Sequence, residues 1–429
     1  MAREMKDSGI EWIGIIPETW DIIKFKYVFS IIGGNGFPDS LQGNTQGDYP
    51  FCKVSDINGQ NEYVETAANW VTQEIVDLNK FNIIPPNSIL MAKIGAALAK
   101  NHRKINALKC CIDNNTQALV LKRNDSIRYL FYLSKCLDMS WFDNNSTVPS
   151  INNNRLLNFF IPNISCTEQE KISSYLDAQC ACIDAVIEKT QTSIEEYKKL
   201  KQAVITQAVT KGIRPNRSMK DSGVDWLGKV PADWNVYRIA NLYDERNESG
   251  EDSLPILSVS INTGISDHEV ADEEQARIFV RSEDKSKYKR VYPGDLAYNM
   301  MRAWQGAFGA VRVDGMVSPA YVVAKPKHNI NLDSRYMEAL LRTPSAIEEM
   351  HRYSHGITDF RLRLYWPEFK NIRVCIPSID EQKEISDFID KTASDVDTMI
   401  SRKKQLLTEM ESYKKSLIFE YITGKREIK

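Results

Sequence analysis

The sequence has few features of an exported, membrane-bound or metal-binding protein. No apolar run approaches the roughly eighteen residues that span a bilayer, and the opening "MAREMKDSG" lacks the apolar core of a signal peptide. The eight cysteines form no CxxC pair and have no histidines close by. This usage predicts reduced cysteines, a cytoplasmic location and no metal site.

Catalytic motifs are equally scarce. The chain has no methyltransferase-type Asn-Pro-Pro-Tyr, no P-loop and no HExxH, and its five histidines are scattered. The glycine-rich "GGNGF" at 33–37 opens no helical pattern, so it predicts a flexible turn and not a cofactor loop. We therefore expect no catalysis and no cofactor in this chain.

What the chain does contain is a long internal repeat. "MKDSGIEWIGIIPETW" (5–20) and "MKDSGVDWLGKVPADW" (219–234) are identical at nine of sixteen positions. "EQEKISSYLDAQCACIDAVIEKTQTSI" from Glu168 aligns with "EQKEISDFIDKTASDVDTMISRKKQLL" from Glu381 without a gap. A period above 200 residues is too long for a solenoid and indicates a duplicated half-molecule.

The two openings predict a packing element. Asp7-Ser8-Gly9 is typical of a turn, and Trp12 and Trp20 are the large apolar side chains of the segment. We expect both openings to pack against the ends of the closing segments.

The closing segments have the pattern of long coiled-coil helices. Apolar residues recur every three or four positions over four to five heptads, and each segment follows an Ile-Pro pair and ends near a glycine. The predicted seam residues are Leu176, Ile183, Ile187, Ile194, Ile389, Val396, Ile400 and Leu407. Lys201 and Lys414 occupy the same late position in the two seams. Two independent surface helices are the alternative; matching seams favour one antiparallel pair related by a two-fold axis.

This arrangement resembles the specificity subunit of type I restriction-modification systems. The repeated "MKDSGxxWxGxxPxxW" opening, a variable stretch and a long helix ending in "VTKG" or "ITGK" carry the likeness. "VYPGDLAYNMMRAWQGAFGAVRVDGMVSPAYVV" (291–323) also resembles the core of that family's target recognition domains, and "IIPPNSILMAKIGAAL" is its diverged counterpart in the first half. The resemblance implies an α+β fold with a pseudo-two-fold internal repeat, in which two globular recognition domains are separated by two antiparallel helices. The expected divisions are 1–163 (first recognition domain), 164–214 (first helix), 215–377 (second recognition domain) and 378–429 (second helix).

The resemblance also implies a function in host defence. Each recognition domain would read one half of a split double-stranded DNA target, and the coiled coil would set the spacer and dock two methyltransferase subunits. Restriction subunits would complete the nuclease. S-adenosylmethionine, ATP and magnesium are expected on these partner subunits and not on this chain.

The charge distribution agrees with DNA binding better than the net charge of −2 does. Residues 93–109 contain five Lys or Arg and no acid, and residues 277–312 contain eight basic residues against three acidic ones. Lys and Arg bind phosphates, whereas Arg, Asn and Gln suit base edges. The candidate DNA-contacting residues are Lys93, Lys100, Arg103, Lys104, Asn114, Asn115, Gln117, Tyr298, Asn299, Arg302, Gln305, Arg361 and Arg363.

Two other functions remain open on the sequence alone. A coiled-coil scaffold that binds only proteins would also explain the repeat, but it would not explain the two basic patches. An autonomous methylase or nuclease is disfavoured by the missing catalytic motifs.

Overall fold

The computed structural model describes residues 3–59, 61–144, 147–251, 253–261, 263–268, 287–356 and 362–428. It divides into two compact units: the first comprises Met1–Thr190 and Gln405–Lys429, and the second comprises Gln191–Lys404. Each unit therefore contains part of both long helices.

The first half of the chain is a mixture of short strands and helices that ends in one long helix. Its strands are β1 (Met5–Asp7), β2 (Ile15–Pro17), β3 (Asp21–Lys24), β4 (Phe29–Gly33), β5 (Tyr49–Cys52), β6 (Tyr63–Val64), β7 (Asn69–Val71), β8 (Ile89–Ala92), β9 (Arg103–Asn106), β10 (Cys111–Ile112), β11 (Thr116–Leu121) and β12 (Phe160–Asn163). Its helices are α1 (Val54–Ile57), α2 (Gln73–Asn79), α3 (Ile127–Cys136), α4 (Asn153–Leu157) and α5 (Cys166–Lys211).

The second half has the same general order. Its strands are β13 (Met219–Asp221), β14 (Lys229–Pro231), β15 (Asn235–Arg238), β16 (Tyr243–Arg246), β17 (Val259–Ser260), β18 (Gly264–Ile265), β19 (Lys289–Val291), β20 (Leu296–Asn299), β21 (Phe308–Ala310), β22 (Gly315–Val317), β23 (Tyr321–Pro326) and β24 (Arg373–Ile376). Its helices are α6 (Ile239–Leu242), α7 (Ser334–Leu341), α8 (Pro344–Arg352), α9 (Trp366–Phe369) and α10 (Ile379–Ile422).

Both halves contain the same antiparallel core sheet, although their sequences match poorly there. Its strands lie in the order β4-β11-β8-β9 in the first unit and β16-β23-β20-β21 in the second. Ile89 pairs with Leu119, and Leu296 pairs with Ala324, so β8 is the counterpart of β20. The repeat thus extends into the stretches that diverge in sequence.

The central strands are apolar because both faces of the sheet are covered. Ile89 and Met91 of β8 pack into the main core of the first unit, while Leu90 packs into a smaller cluster on the other face. In β20, Leu296 likewise packs into the main core of the second unit, and Ala297 packs into a smaller cluster on the other face. A strand buried on both faces shows a continuous apolar run and no alternation.

The two long helices begin shortly after the Ile-Pro pairs and end at glycines. Gly212 and Gly424 have φ of +75° and +73°. This left-handed conformation terminates a helix and favours glycine because it crowds any Cβ.

In the first unit, the parts of α5 and α10 run antiparallel. The rings of Tyr175 and Tyr421 lie 4.7 Å apart between centroids. Further along α5, Asp184 accepts a hydrogen bond from Lys414 Nζ at 2.7 Å. Residue numbers increase along α5 while the numbers of the contacting residues decrease along α10, so the two segments are antiparallel.

The second unit repeats this arrangement with the roles of the helices exchanged. Lys403 Nζ lies 5.6 Å from the ring centroid of Tyr197, and Lys201 Nζ donates to Asp397 at 2.7 Å. Lys201 and Lys414 thus each extend from the seam to an aspartate of the other helix. The predicted α+β fold with two domains and an antiparallel helix pair is confirmed.

The predicted seam residues lie on the covered sides of the helices. Six are buried and two are half-buried. The buried ones are Leu176, Ile183, Ile194, Ile389, Val396 and Ile400, and the half-buried ones are Ile187 and Leu407.

The repeated openings form hairpins, β1–β2 and β13–β14, that pack against the helix ends as expected. Trp20 Nε1 donates to Glu168 at 3.0 Å, and Trp234 Nε1 donates to Glu381 at 3.2 Å. Both tryptophans are buried. The repeated Trp and Glu therefore form one buried contact that joins each opening to the first turn of its own long helix.

Candidate nucleic-acid interface

Four of the seven candidate DNA-contacting residues of the first half lie at one edge of its core sheet. Three segments form this first recognition edge: 93–102 after β8, 113–115 before β11, and 147–151. Lys93 N–H donates to Asn115 O at 2.9 Å, and Ile151 N–H donates to Lys93 O at 3.0 Å. Backbone hydrogen bonds therefore hold the three segments side by side.

The second half builds an equivalent edge from equivalent segments. The second recognition edge consists of 300–307 after β20, 318–320 before β23, and 362–364. Met300 N–H donates to Ala320 O at 3.4 Å, and Leu364 N–H donates to Met300 O at 2.9 Å. The same backbone frame thus carries different side chains in the two halves.

The first recognition edge exposes one lysine and two asparagines. Lys100, Asn114 and Asn115 are exposed, and Lys93 is half-buried beside the asparagine turn. An ammonium group suits phosphate, whereas an asparagine amide both donates to and accepts from a base edge. All four residues lie on the segments that form the first recognition edge, and Lys93 and Asn115 are joined there by a backbone hydrogen bond.

Three other candidates of the first half lie in the interior. Gln117 is fully buried in β11 and its Nε2 lies 3.8 Å from Met91 Sδ, while Arg103 and Lys104 are buried at the start of β9. The sequence does not distinguish polar residues in the strands next to the edge from polar residues of the edge itself. In this structure they offer no surface for a base contact.

Arg103 is held inside by its own neighbours. Its guanidinium donates to Asn101 Oδ1 and to His102 O, both at 2.8 Å. Burial lowers the pKa of Arg103 to about 10, and the pKa of His102 is lowered by burial and by the nearby positive charges. The start of β9 is therefore a concentration of positive charge that stabilises neutral His102.

The second recognition edge is richer in arginine. Gln305 and Arg363 are exposed, and Arg302 is half-buried at the start of the short 3₁₀ helix Ala303–Gln305. The hydrogen bond between Leu364 and Met300 brings Arg363 next to the segment that carries Arg302. Arg361 lies outside the described residues.

Tyr298 and Asn299 of β20 lie behind this edge. Tyr298 is fully buried, with its ring centroid 4.7 Å from Phe308 and 4.8 Å from Phe369. Asn299 is buried, and its Oδ1 accepts from Met301 N–H at 3.0 Å. Both side chains therefore shape the edge from inside the domain.

The segment "GGNGF" is not the flexible turn that its composition predicts. A Cβ on Gly34 would lie 1.9 Å from Asp113 O, so the chain passes too close for any side chain. Asn35 N–H donates to Ile112 O at 2.9 Å, and Asn82 N–H donates to Asn35 Oδ1 at 2.8 Å. The glycine allows two backbones to cross at the base of the first recognition edge.

Sequence reasoning missed a second set of surface residues on the long helices. Val186 and Met399 occupy equivalent positions and are both 45% exposed; Leu200 and Tyr413 are likewise equivalent, at 51% and 48%. All four immediately precede a seam position in their heptads. The heptad frame could have identified them, because large apolar residues beside a seam are unusual on a solvated face.

The part of the chain that the structure describes has neither a metal-ligand cluster nor a membrane-spanning helix. There, no group of three or more His, Cys, Asp or Glu side chains is placed to hold a metal ion. None of the described helices has a stretch apolar enough to cross a membrane.

This chain is similar to known specificity proteins of type I restriction systems. Residues 17–196 match the family model of the type I restriction modification DNA specificity domain. The chain is 22% identical to the type I restriction enzyme MjaVIII specificity subunit of Methanocaldococcus jannaschii, over 96% of this chain and 94% of that protein. It is 20% identical to the type I restriction enzyme EcoBI specificity subunit of Escherichia coli, over 99% and 90%.

Solved structures show the same fold at low sequence identity. One, described as the basis of complex assembly and conformational transition of the type I R-M system, aligns with a TM-score of 0.65 at 13% identity, covering 96% of this chain and 99% of that chain. The HsdS subunit from Thermoanaerobacter tengcongensis aligns with a TM-score of 0.52 at 14% identity, covering 96% and 98%. In its repeated openings, duplicated core sheet and paired helices, the chain is thus similar to the specificity subunits of type I restriction-modification systems.

Proposed function

We propose that this chain reads a bipartite DNA target, with one half-site bound by each recognition domain. The observation that carries the proposal is the equivalence of the two recognition edges. Both are built from equivalent segments of equivalent sheets, yet the first edge carries lysines and asparagines and the second carries arginines and a glutamine. A shared frame with different polar side chains suits two similar ligands that differ in base sequence.

The division of the chain that we propose follows from this function. Residues 1–163 and 215–377 are the recognition domains, and residues 164–214 and 378–429 are the spacer helices. The helices hold the recognition edges at the distance that corresponds to the unread bases between half-sites. We propose a cytoplasmic location as well, because a chain that reads DNA acts where the DNA lies.

The exposed apolar pairs on the helices are the proposed docking sites for methyltransferase subunits. Val186 with Tyr413 lies in the first unit, and Leu200 with Met399 lies in the second. Each pair lies at one level of the antiparallel helices, as the neighbouring contacts Asp184–Lys414 and Lys201–Asp397 indicate. Two equivalent patches suit two copies of one partner.

Catalysis belongs to the partners in this proposal. The bound methyltransferases supply adenine methylation with S-adenosylmethionine, and restriction subunits supply cleavage with ATP and magnesium. The chain itself directs these activities to one sequence.

A domain exchange tests the proposal. The chain is co-expressed with its methyltransferase subunit, and methylated sites are mapped on genomic DNA. Replacing residues 21–161 with those of a related subunit should change one half-site and leave the other unchanged. The reciprocal exchange of residues 235–376 is the matched control and should change only the other half-site.

The same complex separates this function from a protein-only scaffold. A complex of one specificity chain with two methyltransferases that shows no sequence-dependent gel shift would favour the scaffold. A one-to-one complex would contradict the two docking patches.

A further inference from the structure

The first recognition domain packs against the last helical turns of the whole chain. Leu417, Tyr421 and Ile422 of α10 are buried in the same hydrophobic cluster as the strands and helices of that domain, and Ile422 has no exposed surface. Tyr129 of α3 donates its hydroxyl to Ile422 O at 3.4 Å. A helix contributed by the second half of the sequence therefore completes the core of the first domain.

The end of α10 also fits closely against the first opening. A Cβ on Gly424 would lie 2.4 Å from Pro17 Cδ and 2.8 Å from the Trp20 ring. Phe419 lies 6.5 Å from Trp12 between ring centroids. Both tryptophans of the first opening thus contact the C-terminal turns of the other half's helix.

The second domain has the reciprocal arrangement. Tyr336 of α7 donates its hydroxyl to Val209 O of α5 at 3.0 Å, and Val209 is buried in the cluster that contains Trp234. Val209 occupies the position in α5 that Ile422 occupies in α10, because Val209 is the first residue of "VTKG" and Ile422 is the first residue of "ITGK".

We infer that each recognition domain is positioned by the C-terminal turn of the other half's helix. Ile422 is a positioning residue for the first half-site, and Val209 is a positioning residue for the second. This inference rests on the proposed reading of two half-sites and adds a crossed dependence between them. If each half formed its own domain unaided, every effect of a substitution in α10 would appear in the second half-site.

Two matched substitutions test the crossed dependence. Ile422→Asp and Val209→Asp each place a carboxylate in a dry core, where an unpaired charge disrupts packing. The full-length variants are co-expressed with the methyltransferase subunit and presented with DNA in which both half-sites are randomised. Base selectivity at each half-site is then read from the methylated molecules.

With Ile422→Asp, selectivity should fall at least about tenfold at the first half-site, because a charge buried in a domain core is among the most destabilising substitutions, and it should stay within about twofold at the second. With Val209→Asp the pattern should reverse. Ile422→Val and Val209→Ile keep the cores apolar and should retain both half-sites. Loss confined to the half-site on the same half of the sequence as the substitution, or equal loss at both, would overturn the inference.

Hydrogen exchange on the same complexes separates this inference from the proposed function. Ile422→Asp should accelerate amide exchange in α3, and Val209→Asp should accelerate it in α7. If the wild-type complex selects no bipartite target, the proposed function fails while the exchange pattern still tests the crossed packing. Unchanged exchange in both helices would reject the crossed packing even where DNA reading stands.

Discussion

Substitution of Arg302 tests whether a residue of the second recognition edge reads a base or binds only the DNA backbone. It is half-buried at the second recognition edge, where Arg363 lies beside the same segment. If Arg302 forms a bidentate contact with guanine, Arg302→Ala should cost about 1–3 kcal/mol of binding free energy and relax the choice at one base pair. If it meets only phosphate, affinity should fall alike for all sequences, with a weaker salt dependence.

Competition binding of the methyltransferase-bound complex to single-base variants of its target measures this difference. Arg373→Ala is the matched control, because Arg373 is an exposed arginine on β24, outside the second recognition edge. Wild-type affinity and selectivity in Arg302→Ala would remove Arg302 from the site.

At the level of residues, the sequence identifies polar candidates for DNA contact but does not tell which of them are exposed. Lys100 and Asn114 lie at the first recognition edge, but Gln117, with a similar polar side chain three positions on, faces the interior. Which face of a short strand is covered depends on partners distant in sequence, and no local pattern carries that information. The close approach of Gly34 to Asp113 likewise depends on tertiary packing and has no signal in the local sequence.

At the level of secondary structure, the long helices were predictable and the sheets were not. A 3.5-residue spacing sustained over several heptads is a strong signal, and glycines with a left-handed conformation end both helices. The core strands are short, and β8 and β20 are buried on both faces, so they lack the alternation that identifies a strand.

The ion pairs of the two seam lysines, Lys414 with Asp184 and Lys201 with Asp397, predict how charge reversal affects the helix pair. Asp184→Lys would place two positive charges together at Lys414 and should lower the stability of the complex by roughly 0.5–1 kcal/mol, since the aspartate is largely exposed. Adding Lys414→Asp restores an ion pair and should recover most of the loss. Thermal unfolding of the purified complexes measures both changes.

The equivalent exchange, Asp397→Lys with Lys201→Asp, is an internal replicate in the second unit. Lys414→Met should change the stability little, because an apolar residue at a seam position replaces the ion pair by packing. A double exchange no more stable than the single reversal would show that the two side chains are not coupled.

For the whole molecule, duplication explains why contacts occur in matched pairs. Asp184 with Lys414 has its counterpart in Asp397 with Lys201, and Tyr129 with Ile422 has its counterpart in Tyr336 with Val209. Each pair joins residues from different halves of the sequence. The halves can therefore diverge at their recognition edges while the contacts that join them stay the same.

The proposed spacer role predicts the outcome of lengthening the helices. Four residues inserted after Ala185 add about one turn, or roughly 6 Å, to α5. Because DNA rises about 3.4 Å per base pair, the preferred spacer should grow by one or two base pairs while both half-sites stay the same. Methylation of a library with varied spacer lengths measures the shift.

The partner helix determines how well such an insertion is tolerated. Four residues disturb a 3.5-residue repeat, so the opposite helix needs the same insertion at the same level. Thr398 is the repeat equivalent of Ala185, but its neighbour Asp397 contacts Lys201, whereas Asp184 contacts Lys414. An insertion after Tyr413 should therefore restore more methylation to the Ala185 variant than one after Thr398. An active double variant that kept the original spacer would mean that segments outside the helices determine the distance between half-sites.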